Sequence, residues 1–181
     1  AVIGLTLAII ICGVISFDSR DKYSPTDQQI KNIYGQPLSE CETRGRASEG
    51  SQESDYTCSE IGGGFHQICV KDIDSGKGFS SVTGQSDWSR GLGDRNHCVC
   101  LGAWANYVAK TSNDKTLKCD AIPEYALDPK YLSNWKNWND VTVGGQEKLG
   151  LKELYNQCHR QAPSTEAADT LRSKYCGLVG C

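Results

Sequence analysis

The stretch Gly93-Asp94-Arg95-Asn96-His97-Cys98-Val99-Cys100-Leu101-Gly102-Ala103-Trp104 decides how the rest of the chain is organised. Polar turn residues run straight into Cys-Val-Cys and then into an apolar segment closed by tryptophan. In extended backbone Cys98 and Cys100 point to one face and Val99 to the other, so both sulfurs are expected to look toward a common layer. Trp104, Tyr107 and Val108 recur at offsets of three and four, which predicts a short amphipathic helix packed on that strand. Cys41, Cys58 and Cys69 lie too far upstream for local pairing, so the sulfur cluster is expected to be a long-range one.

Outward from this centre, Phe65 to Val70 predicts a short strand. The Gly/Ser/Asp-rich stretch from Asp72 to Gly93 reads as a long ordered loop anchored by Phe79, Val82 and Trp88. Glu40 to Ser59 is polar and without periodicity, a surface loop that two cysteines can tie down. Gly62-Gly63-Gly64 is followed by no lysine and no helix signature, so it reads as a turn and not as an anion cradle. Ser24-Pro25-Thr26-Asp27 predicts a helix start, with Ile30, Ile33 and Tyr34 on one face and Gly35 as the stop. Downstream, Asp128-Pro129 opens an aromatic segment in which Tyr131, Trp135 and Trp138 are candidates for burial against a partner. Leu149 to Cys158 predicts a helix, and Ser164-Thr165-Glu166 begins a last one, with Gly177 as its stop.

At 181 residues the chain can bury one good core. A formal net charge of −3 with both signs scattered excludes the clustered basic face of a nucleic-acid binder. Ala1 to Phe17 is apolar apart from Thr6 and Ser16, and at about 1.5 Å per residue it nearly covers a ~30 Å hydrocarbon core. It predicts a transmembrane or anchor helix, the alternative being the apolar region of a signal peptide. The organisation expected is therefore 1–17 transmembrane or anchor helix, 18–34 connecting helix, 35–158 cysteine-rich α+β domain with short strands and several short helices, and 159–181 C-terminal helical tail.

Ten cysteines imply an oxidising compartment or a metal site. With Cys12 inside the apolar run, nine remain, so complete internal pairing is impossible. Cys176 and Cys181 can close a small loop, and Cys119 with Cys158 can join across the aromatic segment. Cys41, Cys58, Cys69, Cys98 and Cys100 are left, of which at most four can pair. The fifth must stay a thiol, bridge to another chain or bind metal. His66, Cys69, Cys98 and Cys100 would together supply one imidazole and three sulfurs, a tetrahedral zinc set. His97, next to Cys98, could instead make that thiol reactive. No orienting partner or oxyanion device is recognisable beside either histidine, and there is no Cys-x-x-Cys redox motif.

Ordered blocks also carry a family resemblance. Gly35-x-Pro37-Leu38-x-x-Cys41 comes first, then Asp55, Cys58 and His66-x-x-Cys69. Gly91-Leu92, Gly93-Asp94-Arg95, Cys98-x-Cys100 and Trp104 follow, and Ala121-x-Pro123 and Leu151-x-x-Leu154 close the series. In these blocks, over residues 34 to 158, the chain resembles the domain of unknown function numbered 2237, a family of small, mostly bacterial proteins that also occurs in algae. The chain departs from the family pattern in a shorter join between Gly91-Leu92 and Gly93, and in having Asn96 and His97 where one aromatic is usual. The resemblance implies a compact α+β domain and carries no established activity.

Together these features predict a non-catalytic accessory subunit of a larger membrane complex, its domain on the extra-membrane face. The preferred setting is photosynthetic (photosystem-antenna) in the thylakoid membrane, or respiratory in the mitochondrial inner membrane. The expected partners are the membrane and other protein subunits, with no nucleic acid and no cofactor. The alternative is a thiol-redox or metal-binding protein using His66, Cys69, Cys98 and Cys100, with zinc as its cofactor.

Overall fold

The computed structural model describes residues 29–44, 55–60, 66–112, 114–128 and 145–181, together with the backbone pairing of Asn137–Trp138 with Val141–Thr142. The expected anchor 1–17, most of the expected connecting helix, Gly62 to Gly64, Tyr131 and Trp135 lie outside the described residues. Among those described, no helix is long and apolar enough to cross a membrane.

The framework is an antiparallel ribbon of β1 (His66–Val70) and β2 (His97–Cys100), in the register His66↔Cys100, Ile68↔Val99, Cys69↔Cys98 and Val70↔His97. The register slips between His66 and Ile68, a bulge at the β1 end that faces Cys100. Residues 116–118 run along the other edge of β1. Lys71 N–H donates to Thr116 O at 2.8 Å, Lys118 N–H donates to Cys69 O at 3.0 Å, and Val70 bridges Leu117. Asn137–Trp138 (β3) and Val141–Thr142 (β4) form a separate two-residue hairpin ladder, which is where the structure places Trp138.

Among the described residues four helices complete the α+β architecture: α1 (Phe79–Thr83), α2 (Leu101–Lys110), α3 (Gln146–Arg160) and α4 (Thr165–Val179). The strand β2 passes into α2 with no intervening loop, Cys100 being both the last strand residue and the helix N-cap. Trp104 and Tyr107 are fully buried, as the three-and-four spacing requires. Helices α2 and α3 pack unusually close. A Cβ placed on Gly150 would lie 2.7 Å from both Cα and Cβ of Ala105, and Trp104 Nε1 donates to Gly150 O at 3.1 Å across the same crossing. Only glycine fits that contact.

Several local expectations are corrected. Residues 29–34 are not helical. Lys31 and Asn32 sit in bridges to Pro37 and Pro123, and Gly35 takes φ 79° in a turn. The cause is the Asn32 side chain, whose Oδ1 accepts from Tyr34 N–H (2.9 Å) and Gln36 N–H (3.2 Å) while Nδ2 donates to Pro37 O and Asp120 O. An asparagine that satisfies the backbone this way competes with the helix. The long loop from Asp72 to Gly93 contains α1, and its anchors hold as expected. Phe79 is fully buried and stacks on Tyr107 at 4.9 Å, with Trp88 6.2 Å away. The last helix starts where expected, Ser164 Oγ accepting from Ala167 N–H at 3.1 Å, but it runs through Gly177 and ends at Gly180 in the left-handed conformation. Its Ala167, Leu171 and Tyr175 are buried in the same core as α2 and α3, so residues 159–181 help to build the domain's interior.

Candidate functional site

Four disulfides are present among the described residues: Cys41–Cys69, Cys58–Cys98, Cys119–Cys158 and Cys176–Cys181. The last two join the pairs expected from spacing. The first two resolve the five remaining cysteines, and among the described residues Cys100 is the one cysteine outside a disulfide. Cys98 and Cys100 do not share a layer. Cys98 is fully buried with Cys41, Cys58, Cys69 and Ala121 in a small sulfur core, whereas Cys100 is half-buried against the main core. The strand ends at Cys100 and turns into a helix, which breaks the alternation that would have kept both sulfurs on one face.

The expected set His66, Cys69, Cys98 and Cys100 is therefore not assembled in this form of the chain, since the sulfurs of Cys69 and Cys98 are each bonded to another sulfur. What the ribbon brings together is His66 and Cys100, directly opposite each other across β1 and β2, with the His66 ring hydrogen-bonded to the Cys100 side chain. On its other side, His66 Nδ1 lies 2.5 Å from Glu60 Oε2. Glu60 is held from two further points: His66 N–H donates to the same carboxylate oxygen at 3.0 Å, and Gln67 Nε2 donates to Glu60 O at 2.8 Å. The result is a line Glu60, His66, Cys100 in which each member orients the next. An imidazolium carries two N–H donors, one for each of these acceptors.

The electrostatics follow from that geometry. The hydrogen bond to Cys100, and then the one to Glu60, push His66 up to about 10 against the opposing effect of burial, so the ring is positively charged at neutral pH. The side chains of His66 and Glu60 are 28% and 31% exposed, enough for solvent to reach the pair. Cys100 also occupies the N-terminal end of the ten-residue α2, whose first turn holds no acidic residue. Imidazolium and helix end both place positive charge beside one sulfur.

His97 does not take the role its sequence position suggests. Neighbouring residues in a strand face opposite sides, so its ring turns away from Cys98 and packs on Trp88, with centroids 4.7 Å apart. It is 3% exposed, and burial, followed by the charge on His66, pushes it down to about 4. Glu60 is the member of this line that the sequence did not mark. It lies six residues before His66 in an irregular segment, and its one sequence signal is an acidic residue shortly upstream of a histidine.

Comparison of the chain with protein-family models, with curated proteins and with solved structures finds no match. The likeness to the domain 2237 family rests on the residue blocks quoted above.

Proposed function

We propose that this protein is a thiol-redox protein in which Cys100 is the reactive sulfur, activated by His66 and oriented through Glu60. The observation that carries the proposal is the Glu60–His66–Cys100 line itself: a charged imidazole fixed between a carboxylate at 2.5 Å and a partly exposed thiol. The thiolate is the nucleophilic form of cysteine, and an adjacent cation is the usual way a protein favours it. The surrounding disulfides stiffen the strand and loop that present the site.

The reaction class is thiol–disulfide exchange. The Cys100 thiolate attacks one sulfur of a small disulfide, a new S–S bond forms at Cys100, and the other half leaves as a thiolate. Oxidised glutathione is the probe. The expected product is one mixed disulfide per chain, mapped to Cys100 by peptide mass spectrometry. His66→Gln should slow its formation at pH 7 by about 10-fold or more, since one charge-assisted hydrogen bond is worth ~1.5–3 kcal/mol. Glu60→Gln should slow it less. An adduct elsewhere, or equal rates for all three proteins, would overturn the proposal.

The membrane-anchored accessory role is a statement about where such a site would be held. We propose it for the apolar run Ala1–Phe17. Extraction of the full chain from membranes by carbonate alone, without detergent, would dismiss it.

A further inference from the structure

Apart from the His66–Cys100 pair, sulfur is concentrated in the quartet Cys41, Cys58, Cys69 and Cys98, each 0–1% exposed and forming with Ala121 a small core of its own. The sulfurs of Cys41, Cys58 and Cys69 all lie within 4.8 Å of one another although they belong to two different disulfides. Cys98 stands directly opposite Cys69 across the ribbon and its sulfur is bonded to that of Cys58, which places it beside the group of three.

The four cysteines come from separate parts of the chain, and hydrogen bonds that owe nothing to sulfur hold those parts together. Cys41 N–H donates to Tyr56 O at 2.9 Å, which ties the Cys41 segment to the Cys58 segment. Asn96 Nδ2 donates to Cys41 O and Asn96 N–H to Glu42 Oε2, both at 2.7 Å, which ties the Cys41 segment to the start of β2. The ladder pairs Cys69 with Cys98. Reduction of the two disulfides would thus leave four thiols held in one small core. A zinc ion with Zn–S bonds of about 2.3 Å in tetrahedral geometry requires sulfur–sulfur edges of about 3.8 Å. Reduction would open the two bonded separations toward that edge, and the sulfurs of Cys41, Cys58 and Cys69 already lie within 4.8 Å of one another. Two disulfides at one spot also duplicate a single restraint, because either bridge with these hydrogen bonds already brings the segments together.

We propose that in the reduced chain Cys41, Cys58, Cys69 and Cys98 bind one Zn²⁺ ion as a four-thiolate site, and that oxidation converts this site into the two disulfides and expels the metal. The step balances as four zinc-bound thiolates giving two S–S bonds, one released Zn²⁺ and four electrons. Two equivalents of a two-electron oxidant, a small-molecule disulfide or a peroxide, accept those electrons. The site is distinct from Cys100 and does not depend on the exchange chemistry assigned to it.

The test uses the full chain, reduced and metal-stripped without oxygen, and titrated with Co²⁺ as the spectroscopic probe. The expected result is one Co²⁺ per chain, with the sulfur-to-cobalt charge-transfer absorption and intense visible bands of tetrahedral thiolate ligation. Zn²⁺ should displace it, and oxidised glutathione should abolish the bands. Cys100→Ser should keep the spectrum and Cys69→Ser should lose it. Because Cys69→Ser also removes a bridge, a second arm uses the unsubstituted chain alone: the oxidised protein should take up no cobalt and the reduced protein one equivalent. Absence of stoichiometric uptake by the reduced chain, or a spectrum lost in Cys100→Ser and kept in Cys69→Ser, would overturn the proposal. Either failure would leave the reactivity of Cys100 with glutathione unaffected.

Discussion

Replacing His97 with glutamine should flatten the acid limb of the protein's stability curve. His97 is 3% exposed and held down to about 4 in the folded state, against 6.5 for an ordinary histidine. As pH falls, the unfolded chain takes up a proton before the folded one does, so His97's contribution is present above about 6.5 and is lost progressively toward about 4. Between pH 7 and pH 4.5 that loss comes to roughly 2–3 kcal/mol, from the two titration positions and 1.36 kcal/mol per unit. Carboxylates also lose stability in this window, but they do so equally in both proteins. The assay is urea unfolding followed by tryptophan fluorescence at pH 7 and pH 4.5 for the original chain and for His97→Gln. The expected result is that the drop in unfolding free energy between the two pH values is smaller in the variant by about 2 kcal/mol. A loss of stability in His97→Gln that is equal at both pH values leaves this comparison unaffected. Parallel pH dependences would refute the reasoning, because they would mean that His97 is not buried in its neutral form. His66 cannot produce the effect. Its shift is upward, to about 10, so its contribution is intact below 6.5 and is lost only as pH rises toward about 10.

Two further outcomes test the scaffold. Gly150→Ala gains about 1 kcal/mol of helix propensity, but its new Cβ would lie 2.7 Å from the backbone of Ala105, and such overpacking costs ~1–3 kcal/mol; thermal unfolding should therefore show a lower or unchanged midpoint, never the rise an exposed glycine would give. Cys119→Ser with Cys158→Ser opens a bridge of sequence separation 39, and chain entropy gives a loss of about 4 kcal/mol, measurable by denaturant titration.

Three of the helices, α2, α3 and α4, were legible in the sequence. Trp104, Tyr107 and Val108 marked α2, and Ser164 marked the start of α4 because a serine before a helix has a definite hydrogen bond to make. The expected helix before Gly35 failed because the side chain of Asn32 bonds to backbone groups on two separate segments, one of them 88 residues away, which no local pattern records. The sequence showed that one of five cysteines must be left over, but not which one. That depended on Cys100 being the residue at which strand becomes helix. His97 drew attention through adjacency to Cys98, and adjacency in a strand means opposite faces. Glu60 was invisible because its approach to His66 is a side-chain contact of 2.5 Å that no local sequence pattern records.

Residues 116–118 lie along β1 as a third, irregular row, accepting from Lys71 and donating to Cys69 through the backbone. A bare ribbon margin is a template on which another polypeptide can add itself in register. Here the chain occupies its own margin beside Cys69 to Lys71, so that side of the ribbon is closed to a second copy of the protein.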